Sequence, residues 1–133
     1  MLIVEDNVLN VNTIESYLTA KGYRLIVAND GQAAIELTQQ HRPDLILMDI
    51  QMPRMDGLEA IIKIRQNTQL VAIPIIALTA LAMDGDRQKC LRAGADEYLA
   101  KPVKLKQLYP TIQQLLVAKF DKLDVDLTVD LWI

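Results

Sequence analysis

Cysteine and large aromatic residues are scarce in this chain. Its 133 residues include one Cys, one Phe and one Trp, although 51% of the residues are hydrophobic. With Cys90 as the single cysteine, an internal disulfide and an all-cysteine metal site are both excluded, which indicates a reducing compartment. The core is therefore expected to be aliphatic, and the length suits one domain.

Excess positive charge and long apolar runs are also missing. The formal net charge is -3 with a pI near 5.1, so the chain offers no basic surface for nucleic acid or an anionic membrane. The longest apolar stretch, "LVAIPIIALTALAM", has 14 residues interrupted by Pro74 and Thr79, whereas a membrane-spanning helix needs about 20. No signal-peptide pattern opens the chain. We expect a cytoplasmic protein that by itself binds neither nucleic acid nor membrane.

Apolar runs alternate with segments in which apolar residues recur at helical spacing. The predicted strands are residues 2–4, 23–28, 45–48, 73–80 and 97–100, and the predicted helices are residues 10–21, 31–41, 57–67, 84–94 and 105–120. Uninterrupted apolar runs are typical of strands that are buried on both faces. Five strand-then-helix units predict an α/β fold, a doubly wound five-stranded parallel sheet with helices on both faces.

The end of the chain departs from this alternation. In "LDVDLTVDLWI", apolar and polar residues alternate with a period of two, which predicts a strand with one apolar face. Residues 121–133 also hold four aspartates against Lys122 and so carry the whole net charge. We expect residues 1–120 to form the domain, with a first strand that is short because Glu5 comes so early. The acidic tail is then either a linker to a further domain or partner, or, through residues 123–132, an extra strand at a sheet edge of this chain or of a second chain in a dimer.

Charged and polar residues follow the predicted strands. Glu5 and Asp6 follow "LIV", Asp49 follows "LILM", Thr79 follows "IIAL" and Lys101 follows "EYLA". The carboxyl ends of parallel strands meet along one rim, and ligands of open α/β sheets bind in the crevice outside that rim. We therefore expect these side chains to converge in one pocket.

The predicted pocket is rich in carboxylates, which resist ionising together unless a cation neutralises the cluster. An oxygen-only ligand set favours Mg²⁺, and the sole histidine, His41, ends a predicted helix far from the rim, so zinc is disfavoured. Lys101 offers a compact positive charge and Thr79 a hydroxyl donor for phosphoryl oxygens. Together these residues indicate phosphoryl transfer onto a carboxylate.

Four motifs carry a family resemblance. "LIVEDN", "LILMDIQMPRMDG", "IIALTA" and "EYLAKP", in this order, resemble the receiver domain of two-component response regulators over residues 1 to about 120. The stretches "MDIQMPRMDG" and "ALTALAMDGDRQKCLRAGADEYLAKP" are most similar to receivers of hybrid histidine kinases and multistep phosphorelays. The resemblance implies the flavodoxin-like strand order 2-1-3-4-5.

The resemblance also implies roles for residues around the predicted pocket. Asp49 would be the phosphoacceptor. Asp6, Asp49 and the backbone carbonyl of Gln51 would ligate Mg²⁺, with Mn²⁺ as a substitute, and Glu5 would act mostly through a metal-bound water. Gln51 and Leu81 fill positions that influence how water reaches the aspartyl phosphate, and because Leu81 cannot orient a water, dephosphorylation is expected to be slow to moderate.

Further implied roles concern the other strand ends. Thr79 and Lys101 would hold the phosphoryl group, and the Lys101-Pro102 peptide bond would be cis, an arrangement essentially restricted to bonds before proline. Tyr98 would be the switch aromatic, turning inward as Thr79 moves towards the phosphoryl group. An edge-strand tyrosine that packs on a helix is the structural alternative, and both arrangements would suit different states.

The implied function is a phosphoacceptor signalling domain whose partner is a histidine kinase or a histidine phosphotransfer protein. It would catalyse its own phosphorylation and slow dephosphorylation but no metabolic reaction. One alternative is a phosphorylation-independent interaction module on the same fold. Another is an enzyme or flavin binder on a similar sheet, but a phosphatase would want an aspartate where the chain has Gln51, and a flavin phosphate would be repelled by Glu5 and Asp6.

Overall fold

The structure is a computed structural model that describes residues 1–52, 55–80 and 84–132, of which Asp84 and residues 120–132 are described by their backbone alone. Within these residues, the strands are β1 (Leu2–Val4), β2 (Ile26–Ala28), β3 (Ile46–Asp49), β4 (Ile75–Thr79) and β5 (Glu97–Ala100), and the helices are α1 (Val8–Ala20), α2 (Gly31–His41), α3 (Gly57–Gln66), α4 (Asp84–Ala93) and α5 (Leu105–Trp132). All pairings are parallel, in the order β2-β1-β3-β4-β5. The predicted fold class and strand order are confirmed.

The central strands are buried on both faces, as their uninterrupted apolar runs predict. Every residue of β1, β3 and β4 is buried. Because successive side chains of a strand point to opposite faces, the strands supply two separate core clusters. One cluster packs against α2, α3 and α4, and the other packs against α1 and α5. Their strand members are Leu2, Val4, Ile46, Met48, Ile75 and Ala77 in the first cluster, and Ile3, Leu47, Ile76 and Leu78 in the second.

The starts of α1 and β2 differ from the predicted ones. α1 begins at Val8, ahead of the predicted start at residue 10, because the side chain of Asn7 caps the first turn by accepting from two backbone N–H groups. β2 is limited to Ile26–Ala28, since its register with β1 extends over those residues alone. Neither change moves a residue of the predicted rim.

The predicted strand in the tail is wrong, because α5 continues through residues 123–132 to Trp132. Leu123, Leu127 and Leu131 are spaced by four residues as well as alternating with polar residues, so the pattern also fits one face of a helix. Extending an existing helix needs no new nucleation, which favours helix at this position. In this chain the tail therefore adds no strand to the sheet, whereas its pairing with a second chain and its role as a linker remain predictions.

Among the described residues, no helix has both the length and the apolar character that crossing a bilayer requires.

Arg65, in the last turn of α3, joins α3 to the two connections that flank β4 and β5. Its guanidinium donates to the carbonyl oxygens of Gly94 (2.9 Å) and Val71 (3.1 Å) and pairs with Asp96 Oδ2 at 2.9 Å. The same Asp96 oxygen accepts from the N–H of Ile75 at 2.8 Å. The start of β4 is thus held by a largely buried arginine.

Replacing Arg65 with methionine is expected to lower the free energy of unfolding by about 2 kcal/mol, because the charged hydrogen bonds are lost while the apolar stem is kept. Urea unfolding measures the change. Lys63→Met is the matched control on the same helix, since Lys63 forms an exposed pair with Glu59 and its loss is expected to cost less than about 0.5 kcal/mol. Equal effects of the two substitutions would show that the contacts of Arg65 add nothing to stability.

Candidate functional site

The carboxyl ends of β1, β3, β4 and β5 place the predicted residues along one rim. In the sheet register Asp49 lies opposite Leu78, and Thr79 lies opposite Ala100. Lys101 directly follows β5, and its backbone N–H donates to the carbonyl of Thr79 at 2.7 Å. The sheet therefore brings the ammonium-bearing residue next to the end of β4 through backbone pairing.

Lys101 bridges two buried carboxylates. Its Nζ lies 2.9 Å from Glu5 Oε2 and 2.9 Å from Asp49 Oδ1. The side chains of Glu5 and Asp49 are each 1% exposed, and that of Lys101 is 17% exposed. Two buried carboxylates are costly without a counter-charge, and the lysine supplies a counter-charge to both of them.

The pKa values of the bridge follow from its burial. The pKa of Glu5 is raised, first by burial and also by the negative charge of Asp49, with Lys101 opposing the rise. Burial alone would lower the pKa of Lys101, but its contacts with Asp49 and Glu5 outweigh that effect and raise it. Lys101 is therefore cationic throughout the physiological pH range.

Asp6 completes an acidic cluster with the two buried carboxylates. One oxygen from each of Glu5, Asp6 and Asp49 lies within 4.8 Å of the others, and Asp6 is exposed on the open side. Asp49 Oδ2 is buried and accepts no hydrogen bond from the residues that the structure describes, whereas Glu5 Oε2 is ion-paired with Lys101. A buried carboxylate oxygen without a partner, in an oxygen-only cluster, fits a hard divalent cation such as Mg²⁺.

A cleft of about 440 Å³ opens beside this cluster. Its lining includes Glu5 and Lys101 from the bridge, Ala80 just after β4, and Asn10 and Thr13 from α1. The cleft therefore reaches Glu5 and the lysine that contacts Asp49.

The other predicted residues occupy distinct positions around the cluster. Thr79 is buried at the end of β4. The Lys101-Pro102 peptide bond is cis. Tyr98 is half-buried on β5, opposite Ala77, and packs against the core cluster beneath α4, where burial raises the pKa of its hydroxyl. Tyr98 therefore lies outside the acidic cluster, and Leu81 lies outside the described residues.

Gln51 makes a contact that its residue type and position do not predict. Its backbone N–H donates to Asp49 Oδ1 at 3.1 Å, and its side-chain Oε1 accepts from the backbone N–H of Ala80 at 3.1 Å. Ala80 was not among the predicted site residues, because a backbone donor leaves no mark in the residue type. The arrangement of the rim is thus a buried lysine bridge, an acidic cluster, and a glutamine that joins β3 to the residue after β4.

Known proteins are similar to this chain over most of its length. The polar-differentiation response regulator DivK of Brucella anthropi is 40% identical over 116 residues, covering 87% of this chain and 94% of DivK. The crystal structure of the receiver domain of sensor histidine kinase PA1611 from Pseudomonas aeruginosa PAO1 matches with a TM-score of 0.80 and 43% identity over 86% of this chain and 94% of that one. The Mn²⁺-bound form of response regulator Rcp1 matches with a TM-score of 0.72 and 32% identity, covering 86% and 88% of the two chains.

The family model that matches is the response regulator receiver domain, over residues 1–113. The predicted family is therefore confirmed by the family model, by relatives of similar length and by solved structures. With its parallel sheet and an acidic cluster suited to magnesium at the carboxyl rim, the chain belongs to the response regulator receiver domain family of two-component signalling.

Proposed function

We propose that Asp49 accepts a phosphoryl group from a partner's phosphohistidine or from a small acyl phosphate, and that this modification switches a protein-interaction face. The observation that carries the proposal is the 2.9 Å contact between Lys101 Nζ and Asp49 Oδ1 inside the acidic cluster. A buried carboxylate held by an ammonium group at the mouth of a cleft is a nucleophile whose negative charge is partly offset before an anionic donor arrives.

The transfer is a displacement at phosphorus. An oxygen of the Asp49 carboxylate forms a bond to phosphorus while the P–N bond to the partner's histidine breaks, and the imidazole that leaves takes up a proton from solvent. Lys101 and Thr79 hold the transferred phosphoryl oxygens, the lysine by charge and the threonine by its hydroxyl. Glu5, Asp6, Asp49 and the Gln51 carbonyl would hold Mg²⁺, which when bound offsets the charge of donor and acceptor.

The comparisons support the choice of metal. The PA1611 receiver is described with a magnesium ion coordinated in its active site cleft, and Rcp1 is described in a Mn²⁺-bound form. The cluster of Glu5, Asp6 and Asp49 offers the same kind of hard oxygen ligands in this chain. We therefore assign Mg²⁺ as the cofactor, with Mn²⁺ as a substitute.

The remaining roles belong to the same proposal. Tyr98 turns inward with Thr79 when the chain is phosphorylated, and Gln51 and Leu81 set how water reaches the aspartyl phosphate. The phosphodonor is a histidine kinase or a histidine phosphotransfer protein in the cytoplasm, as in a hybrid-kinase relay. The backbone continuity of α5 into residues 121–132 supports a helical linker from the domain, residues 1–120, to a further domain or partner.

An intact-mass measurement after incubation with acetyl phosphate and Mg²⁺ tests this function. We expect the mass of the parent chain to rise by one phosphoryl group, since Asp49 provides a single acceptor. Asp49→Asn is expected to abolish the gain, because an amide is a far weaker nucleophile than a carboxylate. The gain is also expected to disappear when the metal is chelated.

Asp44→Asn is the matched control, since Asp44 is an exposed aspartate just before β3 and its loss should leave the mass gain intact. No gain in the parent chain would contradict the proposal and favour an interaction module that works without phosphorylation. Steady release of phosphate from varied substrates would instead favour an enzyme.

A further inference from the structure

Gln51 connects the phosphoacceptor to the other side of the rim. Its backbone N–H contacts Asp49 Oδ1, and its side-chain carbonyl accepts from the N–H of Ala80, 29 residues away, at 3.1 Å. One residue thus contacts both the carboxylate at the end of β3 and the first backbone donor beyond β4. The backbone and the side chain of Gln51 therefore link the two contacts within a single residue.

The contact with Ala80 begins where the sheet ends. β4 is held by the N–H of Ile50, which donates to the carbonyl of Leu78 at 2.9 Å, and by the N–H of Lys101, which donates to the carbonyl of Thr79 at 2.7 Å. Beyond Thr79 the strand pairing stops, and the side chain of Gln51 takes over as the partner of the next N–H. Ala80, the first residue after β4, is therefore held by the side chain of Gln51. Rotation of that side chain would break the contact.

The N–H of Ala80 is linked to Asp49 through one residue. It donates to the side chain of Gln51, whose own backbone N–H donates to Asp49 Oδ1, and Ala80 lines the same cleft as Glu5 and Lys101. Hydrogen bonds to an ionised acceptor are about twice as strong as those to a neutral one. A phosphoryl oxygen would therefore displace the neutral Gln51 carbonyl from the Ala80 N–H.

We propose that Gln51 is a latch that holds Ala80, the first residue after β4, while Asp49 is unmodified, and that it is displaced from Ala80 when a phosphoryl group arrives. This inference rests on the proposed phosphoacceptor function. The latch opposes phosphorylation, since the bond to Gln51 must break before Ala80 turns to the phosphoryl group. Removing the side-chain carbonyl of Gln51 is then expected to favour the phosphorylated state, because the hydrogen bond to Ala80 stabilises only the unmodified state. The equilibrium should shift by the free energy that this hydrogen bond contributes.

Gln51→Met tests the latch directly. Methionine keeps the length and flexibility of the side chain but lacks a carbonyl acceptor, whereas Gln51→Glu retains an acceptor oxygen and serves as the rescue variant. In the unmodified full chain, solvent-exchange NMR should show the Ala80 amide exchanging about two- to tenfold faster in Gln51→Met than in the parent, the range expected for one exposed hydrogen bond. Gln51→Glu should restore the slow exchange.

The amide of Glu59 is an internal reference, because its acceptor is the Asp56 cap at the start of α3 and lies away from Ala80 in sequence. Its exchange should be the same in all three chains. Unchanged Ala80 exchange in Gln51→Met would overturn the latch, and a parallel change at Glu59 would show a general loosening of the fold instead.

A beryllofluoride titration with Mg²⁺ tests the release step. Beryllofluoride is a tetrahedral analogue of an aspartyl phosphate, and Gln51→Met should bind it about two- to tenfold more tightly than the parent. Equal or weaker binding by Gln51→Met would overturn the proposal that the phosphoryl group replaces Gln51 at Ala80. A parent chain that shows no binding would overturn the phosphoacceptor function itself, a result that the amide-exchange measurement on the unmodified chain keeps separate from the latch.

Discussion

Replacing Lys101 with methionine is expected to lower the free energy of unfolding by about 3 kcal/mol at neutral pH without divalent metal. The substitution leaves Glu5 and Asp49 as two buried carboxylates, each 1% exposed, that have lost their shared ammonium partner. Removing one partner of a buried ion pair is costly because the remaining charge stays desolvated. The loss is therefore expected to exceed the effect of removing any exposed lysine.

The pH dependence of this loss distinguishes charge from packing. The folded-state pKa of Glu5 is raised above 4.5 by burial and by Asp49, and Lys101 opposes that rise, so the rise should be larger in Lys101→Met. A carboxyl group with a raised folded-state pKa favours the folded state when protonated, and this contribution is lost as the pH rises through that pKa. The stability deficit of Lys101→Met should thus shrink as the pH falls towards 4.5, and it should also shrink when Mg²⁺ is added at neutral pH.

Urea unfolding at several pH values, with and without Mg²⁺, measures these effects. Lys104→Met is the matched control, because Lys104 is an exposed lysine three residues further along the chain. A deficit of equal size at every pH and metal concentration would mean that Lys101 acts through packing alone.

The same substitution is expected to slow phosphorylation by acetyl phosphate by about 10²- to 10³-fold, the usual effect of removing one preorganised electrostatic contact from a charged transition state. Because the variant is also less stable, the rate should be measured without urea and at a low temperature at which the folded fraction of the variant is known. A rate close to that of the parent would remove Lys101 from the proposed chemistry while leaving its structural role intact.

The residue pattern was sufficient to predict the sheet and most of the rim. Runs such as Leu45–Met48 are apolar without interruption because both faces of a central parallel strand are covered, and such runs cannot be placed elsewhere in a domain of this size. Once the strands are placed, their shared direction brings Glu5, Asp49 and Lys101 to one edge without any knowledge of side-chain contacts. The lysine bridge follows from the topology together with the cost of burying unpaired carboxylates.

Contacts that depend on backbone groups or on competing periods could not be predicted in the same way. The apolar residues of the tail have a spacing that suits both a strand and a helix. The tail is helical because α5 extends into it. The contact between Gln51 and Ala80 uses a backbone N–H that every residue except proline possesses, and Arg65 binds mainly carbonyl oxygens. These features require the path of the chain to be known before the partner can be named.

Gly57→Ala is expected to destabilise the chain by about 3 kcal/mol, although alanine in a helix is ordinarily favoured over glycine by about 1 kcal/mol. Gly57 begins α3, and its N–H donates to the carbonyl of Ile50 at 3.0 Å. A Cβ at this position would clash with the carbonyl oxygen of Asp49 and would lie 2.7 Å from Ile50 Cα. Because the opposing atoms are backbone, no side-chain rotation relieves the overlap, and the end of β3 has to move.

That movement should reach the proposed chemistry, since the displaced backbone carries Asp49, the proposed phosphoacceptor. A shift of about 1 Å at a reacting group can cost about 10²-fold in rate, so phosphorylation of Gly57→Ala by acetyl phosphate is expected to fall by about that factor. Gly85→Ala is the matched control within α4, where an added Cβ meets nothing within 4 Å, and it should raise stability by up to about 1 kcal/mol with an unchanged rate. If Gly57→Ala proved as stable and as readily phosphorylated as the parent, the close approach of α3 to Asp49 would have to be adjustable, and the fixed position of the carboxylate between Lys101 and Gln51 would no longer explain its reactivity.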